Sequence, residues 1–164
     1  MDSARFSLYS RAYALLGRVT PIAADCGRLC NAKCCAGDEN TGMILFPGEF
    51  EFISNASFLN ISKSTMQGME IDFATCSGVC KRQLRPLSCR IFPLSPFWNG
   101  EELKIASDPR AKYLCPLLDA EEFISKEFYS AVEKAFSLLV EDAEISDMLI
   151  HYTKMLEEYL VFSA

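Results

Sequence analysis

Histidine is nearly missing from this chain: His151 is the only one. One imidazole leaves little scope for the usual acid–base catalysis. Ser77 and Ser88 have no base near them in sequence, so no serine hydrolase is read here. His151 lies beside an apolar helical stripe, where a histidine with no ligand role is the plain reading. Long apolar runs are missing too. Nothing approaches the roughly 18 consecutive apolar residues of a membrane span. The first 20 residues carry Arg5, Arg11 and Arg18 and no apolar run, so a secretory signal is not expected and the cytoplasm is. Net positive charge is also lacking. The formal charge is −6 and the pI about 4.9, which argues against a nucleic-acid binder. There is no internal repeat and no low-complexity segment.

Cysteine, by contrast, is abundant. Eight occur in 164 residues: Cys26, Cys30, Cys34 and Cys35, then Cys76, Cys80 and Cys89, then Cys115. A reducing compartment works against a disulfide framework, so metal binding leads. Half the residues are hydrophobic, which is enough for a core without staples. The charge is uneven. Residues 1–115 hold 13 Lys/Arg against 11 Asp/Glu, a net +2, and residues 116–164 hold 3 against 11, a net −8. The cysteine-bearing part is therefore slightly basic. Arg28, Lys33, Lys81, Arg82, Arg85, Arg90 and Lys112 all lie within four positions of a cysteine. Nearby cations favour thiolate, the form that binds metal.

Periodicity predicts a helix over 3–17 with Ser3 as its cap, ended by Gly17. Thr20-Pro21 begins a turn into the first cysteine group, where Gly27, Gly37 and Gly42 allow tight folding. Met43–Phe46 suits a buried strand, and 47–54 a short helix begun by Pro47. Phe58–Ile61 and Glu70–Thr75 read as strands around a turn at Gly68. The stretch Arg90–Trp98, with prolines at 93 and 96, is expected to be extended and irregular. Asn99-Gly100 is a hairpin turn signal, and Asp108-Pro109 marks another turn. Two helices follow, the first capped through Asp119 and Glu122. Their stripes are Ile124, Phe128, Ala131, Val132, Ala135, Leu139 and Ile145, Met148, Leu149, Tyr152, Met155, Leu156, Tyr159. The second stripe reads as core first and as a homodimer interface second. The expectation is one α-rich α+β domain over 1–164. An N-terminal helix at 1–20 and a C-terminal helical pair at 119–164 pack a loop-rich cysteine core at 21–118.

The first cysteine group is C-x3-C-x3-C-C. On a helix, residues four apart share a face with Cβ atoms roughly 5–6 Å apart, so Cys26, Cys30 and Cys34 can point one way. A tight loop serves as well. Cys35 then points elsewhere, toward a second ion or as a plain buried thiol. The second group is C-x3-C-x8-C. There Pro86 presets the turn before Cys89. Arg85 and Arg90 flank it, to neutralise thiolate or to bond loop carbonyls. C-x2-C spacing is absent, which excludes standard zinc fingers and bacterial ferredoxins. The C-x3-C-x2-C signature of radical enzymes that use S-adenosylmethionine is absent as well. Eight thiolates satisfy two four-coordinate ions.

The cluster at 26–35, with Cys76, Cys80 and the segment Arg85-Pro86-x-x-Cys89-Arg90-x-Phe92-Pro93, resembles the YkgJ-type cysteine-cluster family over about residues 26–115. That resemblance implies zinc or iron chelation in a bacterial or archaeal cytoplasm, with no settled reaction. The expectation is a non-enzymatic metalloprotein with one or two structural zinc ions. The candidate ligands are Cys26, Cys30, Cys34, Cys35, Cys76, Cys80, Cys89 and Cys115, of which Cys35 and Cys115 are the weakest. An iron–sulfur protein, acting in electron transfer or catalysis, is the alternative. A thiol-redox or metal-handling factor is a third reading. Metal ions are the expected partners, with no nucleic acid and no membrane.

Overall fold

Apolar side chains from both ends of the chain meet in one hydrophobic cluster. Of the cysteines, Cys26 and Cys115 pack against it. A computed structural model describes residues 1–35, 41–54, 56–76 and 80–162, Phe162 by its backbone alone. The fold is α+β and rich in helix, with antiparallel strands in two small sheets. Helix α1 spans Ser3–Leu15. Asp2, one residue before the expected cap, receives the Arg5 N–H at 2.8 Å. Tyr9, Ala12, Tyr13 and Leu16 of this region are buried, and α1 packs along α5 (Lys126–Leu139).

The short strand β1 (Gly42–Leu45) pairs with β3 (Met69–Cys76), which also pairs with β2 (Leu59–Met66), for an order β1-β3-β2. β2 and β3 are longer than the sequence suggested. Their hairpin turns through Gln67 (φ 50°) and Gly68 (φ 78°), the doubly positive geometry of a tight hairpin. At Gly42 a Cβ would stand 2.3 Å from the Ala74 carbonyl oxygen, so only glycine lets β1 approach β3 there. Register puts Gly42 opposite Thr75 and Leu59 opposite Cys76. The end of this sheet therefore carries Cys76 beside the start of β1.

Helix α3 (Glu49–Phe52) follows β1 and packs on α1, and α4 (Leu87–Ile91) packs on β1 and on the second sheet. The stretch expected to be irregular from Arg90 onward is ordered. It ends α4 and forms β4 (Leu94–Trp98), paired with β5 (Leu103–Ser107). Pro96 stands in that ladder opposite Ile105. A two-stranded sheet leaves part of its N–H groups outside the ladder, and proline is tolerated at such an edge. Asn99 makes the predicted turn, its side-chain oxygen accepting from the N–H groups of Glu101 and Glu102.

The C-terminal pair is α5 and α6 (Ala143–Phe162). Residues 116–123 form 3-10 turns instead of a capping box at Asp119. Ser125 is the actual cap, accepting from the Phe128 N–H at 3.1 Å. Both stripes face the core: Phe128, Val132, Ala135 and Leu139 on α5, and Ile145, Leu149, Tyr152 and Leu156 on α6 are fully or nearly fully buried. Tyr159, expected in the second stripe, is 49% exposed. Among the described residues, no helix is long and apolar enough to cross a membrane.

Asp142 joins the two ends of the chain. One carboxylate oxygen accepts from the N–H groups of Glu144 and Ile145, and Arg5 of α1 grips both oxygens at 2.7 and 3.0 Å. Burial pushes this carboxyl up. Arg5 and the two N–H groups outweigh burial and hold it below the ordinary aspartate value. A depressed carboxyl contributes stability above its unfolded pKa and loses it as pH falls through the folded one. Asp142→Asn keeps an oxygen for the two N–H groups but loses the charge that Arg5 pairs with, and is therefore expected to be less stable at neutral pH by about 0.5–1 kcal/mol, the worth of a partly exposed ion pair. It should also lose less stability on acidification than the parent, read by urea titrations at several pH values.

Candidate metal centre

The first cysteine group does not form one continuous helix. Helix α2 (Gly27–Cys30) is a single turn beginning just after Cys26. Asn31 (φ 53°) and Ala32 (φ 52°) break it with left-handed backbone, and a 3-10 turn carries Lys33–Cys35. Cys26, Cys30 and Cys34 therefore do not share one helix face. Gly37, assigned to this loop from sequence, lies outside the described residues. The break still brings the cysteines together. Cys26, Cys30, Cys34 and Cys115 line one small pocket, of about 20 Å³. Phe92, Leu114 and Leu117 complete its walls.

A second, larger cavity of about 210 Å³ adjoins it. Cys34, Cys35, Cys76 and Cys89 line this one, with Met43, Leu59, Ala74, Pro86, Phe92 and Leu114 as apolar walls. Cys34, Phe92 and Leu114 belong to both and separate the two spaces. Arg110, held by Asp108 and the Tyr152 hydroxyl, closes another side of the larger cavity. Cys80 joins through Arg85, whose Nε donates to its sulfur at 3.2 Å. Cys35 and Cys115, the weakest ligand candidates by sequence, thus stand beside other cysteines like the rest. All eight are free thiols, Cys34 exposed and the others half-buried.

Three arginines serve this region. Arg85 faces the sulfurs: besides its bond to Cys80, its charge acts on Cys26, Cys35 and Cys89. Arg90 bonds loop carbonyls, donating to Arg82, Gln83 and Arg85 at 2.7 to 2.8 Å while stacking over Tyr13 at 4.5 Å. This closes the 3-10 turn Arg82–Leu84 and fixes Arg85 in place. Arg82 donates to the Val19 carbonyl. Among the described residues, none of the three pairs with a carboxylate; the described ion pairs involve Arg5, Lys63 and Arg110.

The thiols respond to these neighbours. Burial pushes Cys89 up to about 12, helped by Cys35 and Cys76 and opposed by Arg85. Burial raises Cys26 as well, with Cys115 and Cys30 adding to it. Burial likewise raises Cys115, where Cys30 is again a neighbour. Cys34 and Cys35 stand 4.0 Å apart and share a hydrogen bond. That bond, with Arg85 behind it, holds Cys35 down to about 6 and drives Cys34 up.

The donor chemistry suits soft metal, and the thiols share cavities. Their present spacing is looser than a finished site. Among the described residues, no group of three or more His, Cys, Asp or Glu side chains is arranged to hold an ion as it stands. His151 lines neither cysteine cavity, and among the described residues its buried Nδ1 has no hydrogen-bond partner. Comparison with family models, with curated proteins and with solved structures found no match.

One functionally placed residue escaped the sequence reading. Glu49 is fully buried next to this region and accepts from the Leu87 N–H, the Phe46 N–H and the Tyr13 hydroxyl. It anchors the start of α4, two residues before Cys89. The available signal was an acid set among Phe46, Phe50 and Phe52.

Proposed function

We propose that this chain is a metal-binding protein holding one or two cysteine-ligated ions, zinc first, in a non-enzymatic role. One observation carries the reading. Seven thiols from segments far apart in sequence line two adjoining spaces, the eighth, Cys80, is tied to them through Arg85, and among the described residues that arginine has no carboxylate partner. A half-buried cation without a carboxylate favours another source of negative charge beside it. Two ions with four thiolates each supply four negative charges there. The resemblance of residues 26–115 to YkgJ-type cysteine-cluster proteins points the same way. An iron–sulfur centre is the second reading, favoured by the larger cavity, whose volume exceeds what one ion needs. Ion binding would draw the thiols together, as metal binding commonly completes folding.

Anaerobic thermal melts test this. A strong chelator is expected to lower the melting temperature, and added zinc to restore it, because a ligand that binds only the folded state stabilises it. Cobalt in place of zinc should give an intense thiolate-to-metal band. Identical melts with and without chelator, and no cobalt band, would overturn the proposal.

A further inference from the structure

We propose that Cys34 and Cys35 form a two-sulfur site for a soft trivalent electrophile, an organoarsenic(III) compound with one apolar group, whose arsenic bridges the two thiols while the group enters the larger cavity. This goes beyond the metal reading and needs only these two of the eight thiols. Side chains adjacent on a 3-10 turn stand about 120° apart. The turn Lys33–Cys35 nevertheless holds the two sulfurs at 4.0 Å. The left-handed residues Asn31 and Ala32 precede it, and the Cys35 N–H closes it on the Ala32 carbonyl at 2.7 Å. Two bonds of zinc–sulfur length, roughly 2.3 Å each, span up to about 4.6 Å, and arsenic–sulfur bonds are of similar length. One atom therefore reaches both sulfurs with small side-chain rotations. Both are free thiols, and Cys34 is exposed, which gives the electrophile its way in. Among the described residues no third ligand is arranged with them. Two sulfurs are enough for an arsenic centre that carries an organic group.

The third bond of the arsenic carries that group, and the cavity suits it. Cys34 and Cys35 both line this space of about 210 Å³. Its walls are mostly apolar, Met43, Leu59, Ala74 and Phe92 among them, with Lys33 and Arg110 as the charged side chains. An apolar cavity of about 150 Å³ takes up one benzene, so a phenyl group has room here. Burying its apolar surface adds affinity. The reaction with phenylarsine oxide balances without a redox step. Two S–H bonds and the arsenic–oxygen bond break, and two arsenic–sulfur bonds form. The oxide oxygen leaves with both protons as water, and arsenic stays trivalent. The arsenical and an ion compete for these thiols.

The test titrates phenylarsine oxide into the full chain, purified anaerobically, and counts bound arsenic by intact mass. One equivalent is expected to bind first, about tenfold or more tightly than inorganic arsenite, which has no group for the cavity. Cys34→Ser or Cys35→Ser should weaken it about a hundredfold, because one sulfur is left to hold it. Ala74→Leu, which fills the cavity, should remove the preference over arsenite and keep arsenite binding. Should a variant fail to fold, the parent decides. Its other thiols are alkylated with the arsenical in place, the arsenical is removed with a dithiol, and a second label is expected on Cys34 and Cys35 alone. Label on another pair, binding unmoved by either serine variant, or arsenite bound as tightly as phenylarsine oxide would overturn the proposal. So would a preference kept by Ala74→Leu. Each of these results leaves the metal reading standing.

Discussion

Cys89→Ser is expected to purify with less metal than the parent and to melt far below it. Cys89 stands on α4, with Pro86 accepting its N–H at 3.1 Å, so its thiol is presented from a fixed turn. It faces Cys35 and Cys76 across the larger cavity, with Arg85 nearby. Serine keeps the shape but supplies a hard, weakly acidic oxygen where a thiolate is needed. A structural zinc can contribute on the order of 10 kcal/mol to folding, as much as the whole stability of many domains. Losing one of four ligands therefore puts the fold itself at risk. His151→Ala is the control. Its imidazole lines neither cysteine cavity, so the variant should keep the full metal content. Metal per chain, measured beside the melting curve, checks both. A Cys89 variant with all its metal would remove this residue from the ligand set.

Glu49→Ala is expected to cost about 3–5 kcal/mol, read by urea unfolding. The carboxyl accepts three hydrogen bonds, from the Leu87 N–H and the Tyr13 hydroxyl at 2.7 Å each and from the Phe46 N–H at 3.0 Å. Truncation leaves three buried donors unpaired, and each costs roughly 1–3 kcal/mol with partial relaxation. It also unties α1 and the end of β1 from α4, and so loosens the element that carries Cys89. Burial raises the Glu49 carboxyl above its ordinary value, while the three donors and Arg90 oppose the rise. A carboxyl raised in the fold contributes stability in full below its unfolded pKa. That contribution fades as pH rises through the folded value. Glu49→Gln removes the titrating group, so this part of the pH dependence should vanish. A loss under about 1 kcal/mol for the alanine variant would contradict the anchoring role.

Elements whose burial follows a simple period were legible in the sequence. The helical stripes of α1, α5 and α6 fill the core except at their ends, where Phe6 and Tyr159, both expected in a stripe, are exposed, and the β2–β3 and β4–β5 hairpins turn where Gly68 and Asn99-Gly100 stand. The misreadings share a cause, which is that long-range packing overrode local punctuation. Pro93 and Pro96 suggested irregular chain, yet β5 and α6 hold 94–98 as a strand: Trp98 donates from its backbone to Thr153 and from its ring to Ser146. Asp119 and Glu122 have the spacing of a cap, but the chain turns away before Ser125 can begin α5. In the cysteine region the residue types were legible and their partners were not. No spacing rule joins Cys115 to Cys26 across 89 positions. The fold makes that proximity, with the Ser125 N–H donating to the Pro21 carbonyl at 2.8 Å to hold the two segments together. Nor could sequence distinguish Arg85, which faces sulfur, from Arg90, which bonds carbonyls, because only the closed turn at 82–84 separates their roles.

The most direct test is the native mass and elemental content of protein purified anaerobically, without chelator or oxidant. The expected result is a mass above the bare polypeptide by up to two ions, with zinc near two equivalents and no visible colour. Iron with matching sulfide would replace zinc by the cluster reading and leave the thiol assembly standing. A mass equal to the bare polypeptide would contradict the account at its root, leaving the eight sulfurs as ordinary packing.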